Sequence, residues 1–236
     1  NKKRLFKNIY LSSFFIGNLA NIIDEKINQI CSSSFPIHDL GFSVVDVSLL
    51  SNLNNSIALR VLMLIIKTVG GNKYFVKNKN ANTLLKHLIE HNNRLSKMPG
   101  RTLGGCKIVY RYQRVFILRW SQYNAKKRVM SNLGNMIFDN RWQIFSKPAI
   151  EFECLQQKHP LLLKDIFSKT FKIPIEALAY IPVSLKIFNF KKIKLYLDDM
   201  NCDNHIKVCD NFLIFIRKEY NINIKFLKPT LPKAIF

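Results

Sequence analysis

The segment of residues 100–120, with the sequence GRTLGGCKIVYRYQRVFILRW, constrains the fold more than any other part of this chain. Residues 102–112 and 115–120 are rich in β-branched and aromatic side chains, which predicts two strands. Gly104 and Gly105 interrupt the first strand, and they predict a bulge or a close approach of two backbones. We therefore expect a β-hairpin whose first strand is locally irregular.

Arginine and tyrosine side chains crowd the predicted turn, Tyr110-Arg111-Tyr112-Gln113-Arg114. Guanidinium groups bind phosphates and aromatic rings stack on unpaired bases, so this composition favours contact with a nucleic acid. The alternative is an ordinary hairpin, in which the arginines are solvated and the tyrosines pack into a core.

The chain combines a large apolar fraction with a strong positive charge. Its 236 residues are 48% hydrophobic, which is enough for a packed core. Lysine and arginine together number 37 against 15 aspartate and glutamate residues, and the net charge is +22. Such an excess favours a polyanionic partner, with nucleic acid as the first candidate.

Cysteine spacing and hydropathy narrow the class of protein. The five cysteines form no CxxC pair and no zinc-ligand spacing, which together with the lack of a secretory signal predicts reduced thiols in the cytoplasm. The sequence contains no run of about eighteen apolar residues, so no membrane-spanning helix is predicted. A peripheral membrane protein, with its basic and aromatic N-terminal helix on anionic lipid, is an alternative.

Hydrophobic periodicity predicts three helices ahead of the hairpin. They cover residues 3–31, 56–69 and 80 to about 93. Asn54 or Asn55 is expected to cap the second helix, and Gly70-Gly71 to end it. A short strand is expected within residues 41–46.

A polar and cationic stretch, residues 121–135, separates two predicted modules. Residues 1–122 form a helical module with its hairpin, and residues 136–236 form a small C-terminal mixed α/β module. Within the second module we predict a hairpin at 136–145 with a two-residue turn at Asp139-Asn140. Its other predicted elements are a helix at 161–170, strands at 187–197 and 212–216, and an extended tail at Pro229 and Pro232. The predicted fold class is α+β: a helical module closed by a β-hairpin, followed by a small mixed β-rich C-terminal module.

Motifs that carry catalysis are missing from the sequence. It contains no GxSxG, GxxxxGK[ST], GxGxxG or HExxH pattern. His87 and His91 lie one helical turn apart, but no third metal ligand is expected on their face. Asp198 and Asp199 point to opposite faces of a predicted strand, which disfavours a shared Mg²⁺. We therefore predict no catalytic, metal or cofactor site in this chain.

Three groups of residues, in this order and spacing, resemble the C-terminal half of tRNA(Ile)-lysidine synthetases, most closely those of alphaproteobacteria. The groups are Phe35-Pro36-Ile37-His38 with Gly41-Phe42 and Asp46, then Ile57-Ala58-Leu59-Arg60 with Val69-Gly70-Gly71 and Tyr74, then Gly100-Arg101-Thr102-Leu103-Gly104-Gly105-Cys106. Residues 138–142 are similar to the family's WDGRF segment, and 226–232 with Phe236 to its FxPAxPL tail. Trp120-Ser121 departs from the Arg-Glu that relatives often carry. The likeness covers most of the chain, and it is strongest from about residue 35 to 119.

The resemblance implies a function. Enzymes of this family use ATP to adenylate the wobble cytidine of an isoleucine tRNA with a CAU anticodon, and then attach lysine, which changes the codon read from AUG to AUA. Their chemistry lies in an N-terminal PP-loop domain with an SGGxDS signature, which this sequence lacks. The resemblance therefore implies the tRNA-holding part of a cytoplasmic ligase, inactive alone, with ATP, Mg²⁺ and lysine bound by the catalytic domain. A homodimer is compatible with it, and no membrane partner is expected.

Six cationic residues are the predicted phosphate contacts of this part. They are Arg60, Lys73, Arg101, Lys107, Arg111 and Arg114. For each of them an ordinary surface charge is the alternative. The alternative function is a free-standing, non-catalytic RNA-binding protein.

Overall fold

A computed structural model of the chain describes residues 2–90, 100–111, 114–120, 128–129, 134–146, 151–154, 182–184, 214, 217–218 and 223–227. The helices with defined bounds are α1 (Lys2–Ser34), α2 (Val47–Ser51), α3 (Asn55–Val69) and α4 (Asn78–Glu90). The strands are β1 (Ser43–Val45), β2 (Arg101–Leu103), β3 (Cys106–Arg111), β4 (Arg114–Arg119), β5 (Arg128–Val129), β6 (Gly134–Phe138), β7 (Trp142–Ser146), β8 (Glu151–Cys154), β9 (Pro182–Ser184) and β10 (Asn223–Phe226). A helical N-terminal part is thus followed by antiparallel sheets, and the predicted α+β class is confirmed.

The helix boundaries follow local signals in the sequence. The Asn54 side chain accepts a hydrogen bond from the Ser56 backbone at 3.0 Å, and Gly70 closes the other end of α3, as predicted. A short helix, α2, was not predicted. Asp46 caps it by accepting hydrogen bonds from the backbone of Ser48 and Leu49 at 2.9 and 3.3 Å. Residues 91–93, where the third predicted helix ends, lie outside the described residues.

The first sheet has the strand order β1-β4-β3-β2 and is antiparallel throughout. Its register pairs Ile108 with Ile117 and Tyr110 with Val115, so these side chains share one face. That face packs with Leu62 and Ile65 of α3 in the main hydrophobic core, which also includes residues of α1, α2 and α4. The core therefore lies between this sheet and the helices.

Gly104 and Gly105 form a turn between two strands rather than a bulge within one. Leu103 pairs directly with Cys106, and the two glycines have φ angles of 55° and 68°. Two consecutive residues with positive φ suit the twist of a tight hairpin. The predicted strand at 102–112 is therefore wrong as a single element, and the bulge is wrong as well. The predicted close approach of two backbones is confirmed, since a Cβ on Gly105 would lie 3.3 Å from the Gly70 carbonyl oxygen.

The second sheet has the order β10-β7-β6 and contains the predicted hairpin at 136–145. Because Phe138 pairs with Trp142, its turn has three residues, Asp139, Asn140 and Arg141, and the predicted two-residue turn is wrong. The additional residue is Arg141, whose side chain is directed into the protein and is 2% exposed. A third sheet has the order β5-β8-β9.

The strand predicted at residues 212–216 is wrong, because Ile214 is helical, as are Arg217 and Lys218. Isoleucine and phenylalanine favour strands only weakly against context, whereas arginine and lysine are good helix formers. Strand β10 was not predicted. The predicted elements at 161–170 and 187–197 and the prolines of the tail lie outside the described residues.

Candidate nucleic-acid interface

Arg111 and Arg114 lie at one end of the first sheet. Their backbones form the last pair of the β3–β4 ladder, and Arg114 is exposed. The guanidinium group of Arg114 can therefore bind an anion at this end of the sheet. Of the neighbouring tyrosines, Tyr110 packs against the core, as expected for an ordinary hairpin. Tyr112 lies outside the described residues.

Lys107 lies near the other end of the same strand, with its Nζ 4.7 Å from the ring centroid of Trp120. Both residues are half-buried, and they belong to the sheet face directed away from α3. The middle of that face is covered, since Phe116 and Leu118 are buried and Phe42 packs on Phe116 with ring centroids 6.4 Å apart. Lys107 and Arg114 therefore lie near the two ends of this face and not at its middle.

Arg101 is separated from the other cations of the hairpin. It pairs with Ile108 in the edge strand β2, which places it on the face directed toward the helices. Its Nε is buried and has no hydrogen-bond partner in the described part of the chain. The six predicted residues therefore do not form one patch.

Arg60 lies on α3 beside a groove between that helix and α1. Its Nη1 is 3.4 Å from Asp24 Oδ1, and its side chain is 53% exposed. The groove contains a cavity of about 530 Å³, whose walls include Ile27, Leu59, Met63, Phe75 and Asn78 as well as the ion pair. An exposed ion pair contributes about 0–1 kcal/mol, so Arg60 can exchange its carboxylate for another anion at little cost.

The segment of residues 67–79, called here the basic aromatic segment, runs from the end of α3 to the same cavity. Lys67 Nζ lies 4.4 Å from the ring centroid of Phe75, and Lys73 Nζ lies 5.5 Å from that of Tyr74. Tyr74 is 73% exposed and Phe75 is 40% exposed. Lys77 and Lys79 are also exposed. Cations placed over exposed rings provide both phosphate contacts and stacking surfaces.

Sequence reasoning selected Arg60 and Lys73 but missed what surrounds them. Phe75 of the basic aromatic segment lines the cavity beside Arg60, whereas Lys73 contacts Tyr74 and does not line that cavity. The alternation of lysine with Tyr74 and Phe75 was the available signal. Strand β3 has six residues, with the Gly104-Gly105 turn at one end and Arg111 at the other. Arg111 and its partner Arg114 therefore lie about 20 Å from that turn.

The glycine-rich motifs converge at a junction between the two predicted modules. Arg119 donates to the carbonyl oxygen of Gly70 and, through Nη2, to Asp139 Oδ1 at 2.8 Å. The Nε of Arg141 donates to Asp139 Oδ2 at 2.9 Å. Arg141 Nη1 lies 3.5 Å from the carbonyl oxygens of Gly41 and Val69. These two arginines are therefore committed to structure, unlike the exposed Arg60 and Arg114.

Paired glycines of this kind can bind nucleotide phosphates, but these pairs are filled by protein. A Cβ on Gly71 would lie 2.8 Å from the Asp139 carbonyl oxygen, and one on Gly105 would lie 2.7 Å from Arg119 Nη1. The amides of Gly70 and Gly71 donate to the carbonyl oxygens of Ile66 and Thr68, so neither is open to a phosphate.

Cys31 and Cys106 are free and buried, and the predicted reduced state of the five cysteines remains a prediction. Burial raises the pKa of each thiol to about 12, so both remain neutral. In the described part of the chain, no cluster of three or more His, Cys, Asp or Glu residues is arranged to hold a metal ion. Among the same residues no helix is long and apolar enough to cross a membrane.

The chain was compared with protein-family models, curated proteins and solved structures, and none of them matches it.

Proposed function

We propose that this chain binds tRNA and positions it within a tRNA(Ile)-lysidine synthetase, the ATP-dependent ligase whose C-terminal half its sequence resembles. The observation that carries the proposal is the basic aromatic segment beside Arg60. There, cations lie 4.4 and 5.5 Å from the centroids of partly exposed aromatic rings. A surface of this composition suits RNA because its rings stack on unpaired bases while its cations contact phosphates.

Charge supports the same partner. The chain carries a net charge of +22, and a tRNA is a dense polyanion. The basic aromatic segment with Arg60 forms one contact region, and the Arg111 and Arg114 end of the first sheet forms a second. Two separate regions hold a rigid RNA in one orientation better than a single region does.

Positioning is the contribution that this part makes to the reaction. A fixed tRNA body presents its CAU anticodon to the catalytic domain, and orientation of this kind lowers the entropic part of the barrier. The catalytic domain binds ATP, Mg²⁺ and lysine. The proposal places the enzyme in the cytoplasm and assigns no chemical step to residues of this chain.

Titration of the purified chain with an isoleucine tRNA carrying a CAU anticodon tests the binding step. We expect binding whose affinity falls with salt, with a logarithmic slope of about −0.9 for each phosphate contact. No lysidine should form when ATP and lysine are added to the chain alone. Failure to bind this tRNA at low salt, or ATP turnover by the isolated chain, would contradict the proposal.

Adding a PP-loop catalytic domain of the family distinguishes the synthetase from a free-standing RNA-binding protein. The synthetase proposal predicts that this chain raises the rate of lysidine formation by that domain. The control is the same mixture with the Lys73→Ala, Tyr74→Ala double variant of this chain. Tight tRNA binding with no effect on lysidine formation would favour the free-standing protein.

A further inference from the structure

The N-terminal two thirds of α1 leave a long apolar surface open to solvent. Eleven large apolar side chains between Leu5 and Ile23 are 40–69% exposed. In α1 only Gly17, Ile27 and Cys31 are buried, and the two large side chains among them lie beyond Ile23. Residues 8–23 include no charged side chain. Exposed apolar surface of this extent usually marks an interaction site.

These apolar residues follow a seven-residue repeat. Ile9, Ile16 and Ile23 occupy one position of the heptad. A second position, four residues before each of these isoleucines, is occupied by Leu5, Ser12 and Leu19. This is the spacing by which one helix packs along another in a coiled coil.

We propose that this surface pairs with α1 of a second copy of the chain, antiparallel and related by a two-fold axis. In such a pair each isoleucine of the repeat faces the other heptad position of the partner helix. Ile9 then meets the partner's Leu19, Ile23 meets the partner's Leu5, and Ile16 meets the partner's Ser12. The spacing is therefore complementary to itself when one helix is reversed.

Charge determines the direction of pairing. The first two turns of α1 carry Lys2, Lys3, Arg4 and Lys7, and a parallel pair would place both sets side by side. The antiparallel pair separates the two sets by about 30 Å and brings each one near the partner's Asp24 and Glu25. Lys2 would meet the partner's Lys26, so the apolar contact ends at Leu5.

The area is sufficient for a specific dimer. Phe15 faces the partner's Phe15 beside the axis, and Phe6 and Ile22 flank the central positions. Eight side chains with roughly 100 Å² exposed on each supply on the order of 800 Å² per copy, which is the usual size for one side of a stable interface. Tyr10, Leu11 and Phe14 lie outside the contact, and the rings of Tyr10 and Phe14 stack with centroids 6.5 Å apart.

Light scattering on the full chain, without RNA, tests the pairing. We expect a mass of twice 27.6 kDa at micromolar concentration. Ile16→Glu should yield a monomer, because it places a carboxylate in the contact. Leu11→Glu is the matched control, since Leu11 is also half exposed but lies outside the contact, and this variant should remain dimeric. A monomeric parent chain, or equal loss of dimer in both variants, would overturn the proposal.

Disulfide cross-linking tests the direction. Ser13→Cys lies beside the two-fold axis and should form an interchain disulfide, whereas Leu5→Cys should not, because its two copies lie about 27 Å apart. The opposite result would show a parallel pair and overturn the antiparallel proposal. The parent chain, with its native cysteines, is the control for background cross-linking.

Two further readouts separate this proposal from others. Because the copies repel each other through their net charge, the dimer should strengthen as salt is raised, whereas RNA binding should weaken. The proposal can therefore fail while the proposed function holds, and the reverse is also true. If the parent chain is monomeric and floats with phosphatidylserine vesicles, the surface binds lipid and the dimer is excluded.

Discussion

Arg119 Nη2 and Asp139 Oδ1 lie 2.8 Å apart, and this ion pair joins the first sheet to the turn of the second hairpin. Asp139 also pairs with Arg141 Nη2 at 2.9 Å, so one carboxylate lies between two guanidinium groups. The boundary expected between residues 122 and 136 remains a prediction. These contacts cross it, however, and they couple the stability of the hairpin at 134–146 to that of the helical module.

Asp139→Asn should destabilise the protein strongly. The side chains of Arg119 and Arg141 are 14% and 1% exposed, so the variant leaves one half-buried and one buried cation without a countercharge. Breaking a buried pair in this way costs about 3–5 kcal/mol, which urea unfolding of the parent chain and the variant would measure. Asp24→Asn is the control, because its partner Arg60 is exposed and the loss should stay within about 1 kcal/mol. Equal losses in the two variants would contradict this assignment.

Gly104→Ala should also lower the free energy of unfolding. Gly104 has a φ of 55°, and a Cβ there would lie 2.8 Å from Ile66 Cγ2, so the substitution adds backbone strain to a steric clash. We expect a loss of about 2 kcal/mol or more in chemical denaturation. Gly100→Ala is matched to it in the same segment, and its Cβ would make an ordinary contact 3.5 Å from Val109 Cγ1. A Gly104→Ala variant as stable as Gly100→Ala would contradict the close contact between Gly104 and the Ile66 side chain.

Local signals predicted the helices well and the strands less well. The apolar period sets α1 and α3, and Asn54 and Gly70 set the ends of α3. Whether Gly104-Gly105 forms a bulge or a turn depends on which residues pair across the sheet, and that information is not local. Helix α2 has five residues, which is too short for a period to be detected.

Charge identified cations at the candidate site but not their roles. A list of basic residues does not distinguish Arg119 and Arg141 from Arg114, yet both pair with Asp139, and their side chains are only 14% and 1% exposed. Arg60 and Phe75 are neighbours only because α3 and the segment that follows it line one cavity. Which arginines are structural and which are exposed depends on tertiary contacts, and a list of basic residues does not contain that information.

Tyr74→Ala should weaken tRNA binding without changing stability. The ring is 73% exposed, so its removal costs little packing, whereas the loss of one stacked base costs about 1–3 kcal/mol of binding free energy. Lys73→Ala should reduce the salt slope by about 1. Fluorescence anisotropy at several salt concentrations measures both effects. Lys86→Ala on the exposed face of α4 is the control, and an equal effect there would indicate only general charge attraction.

Arg114→Ala and Arg119→Ala should separate binding from stability. Arg114 is exposed at the end of β4, so its loss should weaken tRNA binding and leave unfolding within about 0.5 kcal/mol of the parent chain. Arg119→Ala should instead unfold at a lower urea concentration, because it removes the partner of Asp139 and the donor to Gly70. Parallel titration and unfolding of both variants check this. A stable Arg119→Ala variant with impaired binding would reverse the two roles.

Above pH 9 the protein should lose stability through its buried thiols. Burial raises the pKa of Cys106 from 9.0 to about 12, and its Sγ donates to the Ile66 carbonyl oxygen at 3.3 Å, which also favours the protonated form. Between these two pKa values the unfolded chain releases a proton that the folded chain retains. Stability is therefore complete below pH 9 and falls as the pH rises toward 12, by up to about 1.4 kcal/mol per pH unit for each thiol.

Replacing the thiol isolates this effect from other groups that titrate in the same range. Cys106→Ala leaves a small cavity, which shifts the whole stability curve downward at every pH. Its slope above pH 9 should nevertheless be shallower than that of the parent chain, because one linked proton has been removed. Urea unfolding in steps from pH 8 to pH 10.5 compares the two slopes. Parallel curves for the parent chain and the variant would show that the Cys106 thiol is not protected from ionisation by the fold.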